Sequence, residues 1–369
     1  MKRVLIWVQH LLGTGHTVRA TAIARALKAA GAEVTLVLGA ASPATLDLSG
    51  LEIIQLPPVL ATDASFHFIE AADGTPYEAL AADRTAALLA AVERLRPDVF
   101  LTESFPFGRR RFAGELEPAL TAVRANGGRT ASSIRDVLVR KSAAKQQAMA
   151  QCARQMFDRV LVHADPRFVT LGDSFSTADG IADLIRYTGF VDGKARPAFA
   201  SARSGIVVSA GGSQVGAGLL SASVDAAIRN RGRNWRILVP PSLADNAAHW
   251  REVAPPNAII EDNRADFREL LAGAAISVSQ AGYNTVLDVL SAGPRAVFVP
   301  FAEHEETEQT DRAAALAARG LAGVLPEKKL TPRTLLMAIA RVVEAPPPPR
   351  LTLDLDGARR SAAILLEGL

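Results

Sequence analysis

The sequence has few of the residues from which disulfides, zinc sites and membrane spans are built. Its one cysteine, Cys152, can form no internal disulfide, and its place in a helix-like run favours a buried, unreactive thiol. The six histidines are scattered and show no zinc-ligand spacing. No apolar stretch approaches 18 residues, roughly the length that a transmembrane helix requires. We therefore expect no tightly bound metal and no membrane-spanning segment.

The remaining composition is that of a globular enzyme with more than one core. Of 369 residues, 49% are hydrophobic and 21% are charged, which argues against disorder. The length favours two domains of comparable size. Met1 to Arg3 and the apolar run at 4–8 superficially resemble a signal peptide, but Gln9 and His10 interrupt it and no small-residue cleavage site follows. These features predict a cytoplasmic protein.

Positive charge is concentrated in one part of the chain. The net charge is +3, yet residues 84–159 carry 14 lysines and arginines against 7 acidic residues. No aromatic-rich face or known nucleic-acid motif accompanies them, so nucleic acid is not the expected partner. An anionic acceptor, peripheral contact with the inner face of a membrane, and a solvated basic surface all remain open.

Two glycine-rich turns, about two hundred residues apart, each follow an apolar run and open a helix-like stretch. The first consists of Gly13, Thr14, Gly15 and His16, and the second of Gly211, Gly212, Ser213 and Gln214. Such turns let backbone N–H groups and a helix N-terminus approach an anion. Neither has the GxGxxG spacing with a later acidic residue, which disfavours a dinucleotide oxidoreductase. The alternative for either is an ordinary strand-to-helix turn.

Strand-like and helix-like segments alternate through both halves. This pattern predicts an α/β protein with parallel sheets covered by helices, in two Rossmann-like domains. We expect the first domain at 1–192, the second at 203–345, and a proline-rich linker with a final helix at 346–369 that packs toward the first domain. A strand is predicted at 99–102 and a helix at 136–157.

The order of several motifs resembles a known family. Residues 211–214, 279–285, 293–294, 299–301 and 308–309 are similar to the donor half of the MurG-type glycosyltransferases of family 28, and residues 13–16 to their acceptor-side loop. Residues 8–16, 102–110 and 187–189 resemble more closely a bacterial branch of predicted glycosyltransferases whose acceptor is unknown. The resemblance implies the GT-B fold, two Rossmann-like domains facing across a cleft.

The resemblance also implies a donor site in the second domain. The diphosphate of a UDP-sugar would be held by the turn at 211–214 and by the next helix start, without a tightly bound metal or other cofactor. That helix start comprises Gly282, Tyr283, Asn284 and Thr285. Asp288 would bind ribose hydroxyls where the family has a glutamate, and Asn263 and Arg264 lie near the base. Glu308 and Gln309 would bind the donor sugar. The alternatives are a helix-surface charge for Asp288 and a solvated helix start for Glu308 and Gln309.

An inverting transfer needs a base that removes the proton of the acceptor hydroxyl. His16 is the first candidate because an ordinary imidazole titrates near neutral pH; a packing or capping histidine is the alternative. Glu103 is a second candidate, or else a structural partner of Arg109 or Arg135. Asp136 is a third, or else an ion-pair or cap residue.

We therefore expect a metal-independent inverting glycosyltransferase that transfers a hexose or N-acetylhexosamine from a UDP-sugar to a small-molecule or lipid-linked hydroxyl acceptor. Two alternatives remain at this stage. One is an epimerase or hydrolase of UDP-sugars on the same fold, which would release UDP without an acceptor. The other is a non-catalytic protein that binds nucleotide sugars.

Overall fold

A computed structural model describes residues 1–42, 46–62, 68–194, 197, 202–211, 214–302, 307–349 and 353–368. The chain divides into two units. The first comprises Met1–Gly193 together with Leu353–Leu369, and the second comprises Lys194–Thr352. In the described residues, no helix combines the length and the apolar character that crossing a bilayer requires.

The first unit is a parallel sheet flanked by helices. Its strands are β1 (Arg3–Val8), β2 (Glu33–Leu38), β3 (Glu52–Gln55), β4 (Leu60–Ala61), β5 (Ile69–Glu70), β6 (Val99–Glu103), β7 (Arg129–Arg135), β8 (Arg159–His163) and β9 (Ile185–Tyr187). Its helices before residue 193 are α1 (Gly15–Ala29), α2 (Tyr77–Leu95), α3 (Ala113–Ala125) and α4 (Ala143–Met156). Within the described residues, seven strands form one sheet in the order β3-β2-β1-β6-β7-β8-β9, while β4 and β5 pair separately and antiparallel.

The central strands are buried on both faces. All five residues of β6 and five of the six in β1 are buried, as expected of a parallel sheet covered by helices. The strand order reverses between β1 and β6, so this pair is the topological switch point where open α/β sheets bind ligands. The loops after β1 and β6 therefore lie at the edge of the first sheet where a ligand site is expected.

The second unit repeats this plan. Its strands are β10 (Ser204–Ser209), β11 (Trp235–Val239), β12 (Ala258–Asp262), β13 (Ala274–Ser279), β14 (Arg295–Phe298) and β15 (Gly323–Val324). Its helices are α5 (Ala217–Arg229), α6 (Ala244–Val253), α7 (Phe267–Gly273), α8 (Tyr283–Ala292), α9 (Glu308–Ala317) and α10 (Pro332–Glu344). The parallel sheet of the described strands has the order β12-β11-β10-β13-β14-β15, which places its switch point between β10 and β13.

The C-terminal segment belongs to the first unit. Helix α11 (Gly357–Leu366) packs on α1 and contributes Ala362 and Leu365 to the core around β1. Its approach depends on two glycines, since a Cβ on Gly357 would lie 2.5 Å from the Gly189 carbonyl oxygen and one on Gly189 would lie 2.6 Å from Asp354 Cγ. Side chains are excluded at both positions because the backbones meet there.

One predicted element is wrong at its beginning. The helix predicted at 136–157 starts only at Ala143, and residues 136–142 form a loop after β7. The sequence of β7 gave no strand signal because five of its seven residues are polar or charged, Ser132 and Ser133 among them. Both are fully buried, and their hydroxyls donate to Phe105 O and to Glu103 respectively.

Candidate active site

The switch point of the first unit brings His16 and Glu103 together. Glu103 is the last residue of β6, and His16 follows β1 in the first turn of α1. His16 Nδ1 lies 3.0 Å from Glu103 Oε1, and the two side chains are only 10% and 1% exposed. Glu103 also forms a buried ion pair with Arg19, one turn further along α1. Two of the three predicted catalytic residues are thus in direct contact.

Glu103 is held as a carboxylate. Burial alone would raise its pKa, but the Arg19 guanidinium and the hydrogen bonds from His16 and Ser133 outweigh burial and hold the pKa of Glu103 below its ordinary value. The Ser133 hydroxyl donates to Oε2 at 2.6 Å. Arg109 and Arg135 were the predicted structural partners of Glu103, and the ion pair with Arg19 adds a partner that the sequence did not suggest.

His16 is held as a neutral imidazole. Burial and the nearby charge of Arg109 lower its pKa well below 6.5, against the hydrogen bond to Glu103, which raises it. Because a carboxylate only accepts hydrogen bonds, the proton of the neutral ring lies on Nδ1. Nε2 consequently carries the lone pair, which is the form of the ring that a base requires at neutral pH.

A second buried network fixes the loop that precedes His16. The Gln9 side chain donates to the carbonyl oxygens of His10 and Val59, at 2.7 and 2.9 Å, and accepts from Arg84 at 3.0 Å. Arg84 in turn pairs with Glu115, and neither side chain has any exposed surface. Sequence reasoning missed this network, because Arg84 and Glu115 lie in helices where charged residues usually face solvent.

The other predicted residues of the first unit lie on the same edge. Gly13, Thr14 and Gly15 form the partly exposed turn before His16, with Thr14 at the N-cap of α1. Asp136 is 1% exposed and directly follows β7, the strand that supplies Ser133. Its position after a strand, and not in a helix as predicted, places it on the carboxyl edge of the sheet.

The switch point of the second unit carries the glycine turn predicted to bind phosphate. Gly211 has φ +71°, which favours glycine, and its N–H donates to Ser209 Oγ at 3.1 Å. Asn263 Nδ2 donates to Gly211 O at 2.9 Å, so this residue, predicted near the base, holds the turn itself. Gly212 and Ser213 lie outside the described residues, and the backbone of Gln214 begins a short 3₁₀ turn before α5.

The predicted helix start lies beside that turn. Gly282 is the N-cap of α8, and Tyr283, Asn284 and Thr285 form its first turn. A Cβ added at Gly211 would lie 3.7 Å from Thr285 Oγ1, and one added at Gly282 would lie 3.8 Å from the same atom. The two loops therefore converge on the Thr285 hydroxyl, with the positive end of the α8 dipole next to them.

Asp288 is buried in an ion-pair cluster. It is 4% exposed, and its carboxylate lies 2.8 Å from Arg268 Nη2 and 2.9 Å from Lys194 Nζ. Arg268 is equally buried, whereas the Lys194 side chain is 46% exposed. Asp288 is thus not the helix-surface charge that was its alternative interpretation.

Glu308 and Gln309 begin α9 and make internal contacts. Glu308 is 3% exposed and pairs with Arg312 at 2.7 Å, one helical turn away. Gln309 Oε1 accepts from Ala281 N at 3.0 Å and from Phe301 N at 3.2 Å, which ties together the loops after β13 and β14. Both residues therefore lie on the carboxyl edge of the sheet, near the start of α8.

The described residues contain no cluster of three or more histidine, cysteine, aspartate or glutamate side chains arranged to hold a metal ion. The Cys152 thiol is half-buried, and burial raises its pKa to about 11.

Comparison with known proteins agrees with this architecture. Residues 245–350, within the second unit, match the family model for the glycosyltransferase family 28 C-terminal domain. A curated relative from Rhizobium etli, UDP-N-acetylglucosamine--N-acetylmuramyl-(pentapeptide) pyrophosphoryl-undecaprenol N-acetylglucosamine transferase, is 33% identical over 81 residues. That alignment spans 22% of this chain and 22% of the relative.

Solved structures match over nearly the whole chain. MurG of Acinetobacter baumannii has a TM-score of 0.59 at 18% identity, covering 98% of this chain and 95% of that one. Glycosyltransferase VinC in complex with dTDP has a TM-score of 0.64 at 17% identity, covering 98% and 94%. Spinosyn rhamnosyltransferase SpnG with thymidine diphosphate has a TM-score of 0.62 at 18% identity, and the match covers 99% of this chain and 95% of that one.

The two doubly wound units define the fold class as GT-B, which confirms the predicted fold. The match of residues 245–350 to the family 28 C-terminal domain and the shared fold make the chain similar to MurG-like glycosyltransferases, which confirms the resemblance stated from the motifs.

Proposed function

We propose that this protein is a metal-independent inverting glycosyltransferase that transfers a hexose or N-acetylhexosamine from a UDP-sugar to a hydroxyl acceptor. The observation that carries the proposal is the buried contact between His16 and Glu103 at the switch point of the first unit. It supplies a neutral imidazole with a fixed tautomer and a carboxylate behind it, the arrangement that a general base requires.

The reaction follows from this arrangement. His16 Nε2 takes the proton of the acceptor hydroxyl while that oxygen forms its bond to the anomeric carbon, and the bond from this carbon to the UDP oxygen breaks. The electron pair leaves with UDP, and the imidazolium is stabilised by Glu103. A single displacement of this kind inverts the configuration at the anomeric carbon.

The donor diphosphate is proposed to bind at the second switch point. Amide groups of the 211–214 turn and the N-terminus of α8 would neutralise the leaving group, with the Thr285 hydroxyl between them. One helix terminus contributes at most about 2 kcal/mol, whereas enzymes typically lower barriers by about 8 kcal/mol or more. Several donors must therefore act together with the positioning of the reactants.

Comparisons support a nucleoside diphosphate donor. The curated relative is named for UDP-N-acetylglucosamine, and two of the matching structures hold thymidine diphosphate. Glu308 and Gln309 are proposed to bind the donor sugar from the start of α9.

The acceptor is proposed to be a small or lipid-linked hydroxyl compound that reaches the loops after β1 and β6, where Arg109 contacts Gln9. Arg109 is the group that best supports an anionic acceptor, since its charge acts on both His16 and His10 and its Nε is fixed to Gln9 O at 2.7 Å. With a lipid-linked acceptor, peripheral association with a membrane would follow.

Thermal unfolding with UDP, dTDP and GDP, in EDTA and in magnesium, tests the donor site. We expect UDP to raise the melting temperature in EDTA as well as in magnesium. Extracts incubated with the preferred UDP-sugar and examined by mass spectrometry then identify a glycosylated product. UDP release that needs no acceptor would assign a hydrolase or epimerase, and UDP binding without any turnover would assign a binding protein.

A further inference from the structure

Behind Glu103, on the side away from His16, lies a chain of fully buried polar groups that the proposed chemistry does not use. Ser133 from β7 and His163 from β8 both have no exposed surface. The Ser133 hydroxyl oxygen is 2.6 Å from Glu103 Oε2 and 2.8 Å from His163 Nε2. His163 Nδ1 lies 2.8 Å from the Thr188 hydroxyl, just after β9. The groups thus come from four neighbouring strands: β6, β7 and β8 each contribute one, and Thr188 directly follows β9.

The direction of these hydrogen bonds is determined by Glu103. An ionised carboxylate can only accept hydrogen bonds, so the single hydroxyl proton of Ser133 is donated to Glu103 Oε2. The bond from His163 to Ser133 must then be donated by His163 Nε2–H. Burial and the charge of Arg19 lower the pKa of His163 to about 3, so the ring is neutral and its Nδ1 accepts. The hydrogen bonds therefore point one way from His163 through Ser133 to Glu103.

Such an arrangement constrains the carboxylate. Oε1 faces His16 and Arg19, while Oε2 faces Ser133, so donors on both oxygens fix the rotation of the carboxylate plane. The direction in which Oε1 meets His16 Nδ1 depends on that rotation. A buried polar network in which each donor has its acceptor is rigid, because any rearrangement would leave a polar group unpaired.

We propose that Ser133 and His163 are positioning residues that hold Glu103 in the orientation required to keep the proton of His16 on Nδ1. This inference rests on the proposed function for its effect on turnover, although the effect on the His16 ring does not. Neither residue contacts the reacting atoms. Both act through Glu103.

The test compares two neighbouring serines that are equally buried. Ser133→Ala removes the donor to Glu103. Ser132→Ala is the matched control, since Ser132 lies on the same strand, is also fully buried and donates to Phe105 O at 2.6 Å. Each variant is compared with the wild type by ¹⁵N NMR of histidine-labelled protein, which reports the tautomer and titration of His16, and by kcat and KM over a pH series.

For Ser133→Ala we expect a changed ratio of the two His16 tautomers and a kcat lowered by about 10- to 100-fold with little change in KM, as for a misplaced catalytic group. The charge of Glu103 is less neutralised without the Ser133 donor, so the imidazolium form of His16 gains stability. The acidic limb of kcat should move to higher pH. Ser132→Ala should leave the tautomers and the pH profile unchanged even if its melting temperature falls equally.

His163→Phe provides a second measurement. It removes the donor to Ser133 and leaves the Ser133 hydroxyl in place, so we expect a smaller change of the same sign in the His16 spectrum. A His16 spectrum that is identical in the wild type and in both Ser133→Ala and His163→Phe would overturn the positioning role, whatever the activities are. If the spectrum changes as expected but His16→Ala retains full turnover, the positioning is supported and the proposed base is wrong.

Discussion

His16 Nδ1 and Glu103 Oε1 lie 3.0 Å apart at the point where the strand order of the first sheet reverses. One residue follows β1 and the other ends β6, although 87 positions separate them in the chain. The parallel pairing of these two strands places both at the same sheet edge. This contact, and the buried contacts of Asp288, Glu115 and Gly189, have consequences that can be measured.

Replacing His16 by alanine should abolish the base and leave the donor site intact. We expect kcat to fall by at least about 100-fold, the lower range for general base catalysis, with an unchanged dissociation constant for UDP by calorimetry. His10→Gln is the matched control, because His10 is also buried in this loop and its Nδ1 lies 2.9 Å from the Thr17 hydroxyl. A similar loss of UDP affinity in His16→Ala would contradict the base role.

The activity should persist below the ordinary titration range of histidine. The pKa of His16 is lowered well below 6.5, mainly by burial, and a base works only when deprotonated. As pH falls, kcat should therefore stay level through 6.5 and decline only at more acidic pH. Stopped assays between pH 5 and 8 measure this, with circular dichroism at each pH to show that the fold persists. A decline centred at 6.5 would point to an exposed group instead.

Asp288→Asn should show whether the Asp288 carboxylate binds the ribose of UDP in addition to forming ion pairs with Arg268 and Lys194. If the carboxylate reaches the ribose, as the family resemblance implies, the wild type binds UDP more tightly than 2′-deoxy-UDP, and the variant shows a smaller difference in affinity between the two nucleotides. Lys194→Met is the control, since it removes the half-exposed partner and keeps the pair with Arg268. An equal preference for the two nucleotides in wild type and variant would restrict Asp288 to the ion pair.

Glu115→Gln should strongly destabilise the first unit. The change leaves the Arg84 charge buried with no carboxylate at 2.8 Å and weakens the bond from Trp7 Nε1. Breaking a buried pair from one side costs about 3–5 kcal/mol. Urea unfolding measures the loss. Glu78→Gln, whose side chain is 60% exposed in its pair with Arg111, should cost about 1 kcal/mol or less.

Gly189→Ala should loosen the C-terminal segment. Gly189 has φ +78°, and the added Cβ would meet backbone as well as side-chain atoms of Asp354 within 3 Å. We expect a lower melting temperature and faster proteolysis after residue 352. Gly114→Ala is the control, because nothing lies within 4 Å of its Cβ position in α3, and it should be neutral or stabilising by up to about 1 kcal/mol.

The sequence predicted the repeating plan better than the buried polar groups. Apolar runs followed by glycine turns indicate strand ends, so the positions of His16 and of the 211–214 turn could be predicted. Strand β7 could not be predicted, because Ser132 and Ser133 are polar. Their buried partners, Phe105 O and Glu103, are distant in the chain and cannot be inferred from the local sequence. Arg19 and Arg268 occupy helices, and no local pattern shows that their partners are Glu103 and Asp288.

The return of residues 353–368 to the first unit bears on how the protein is made. Ala362 and Leu365 fill the same core as β1 and α1, yet they are synthesised after all of the second unit. The nascent first unit therefore leaves the ribosome with part of its apolar surface uncovered. The second unit, whose residues are continuous in the chain, can complete its folding earlier.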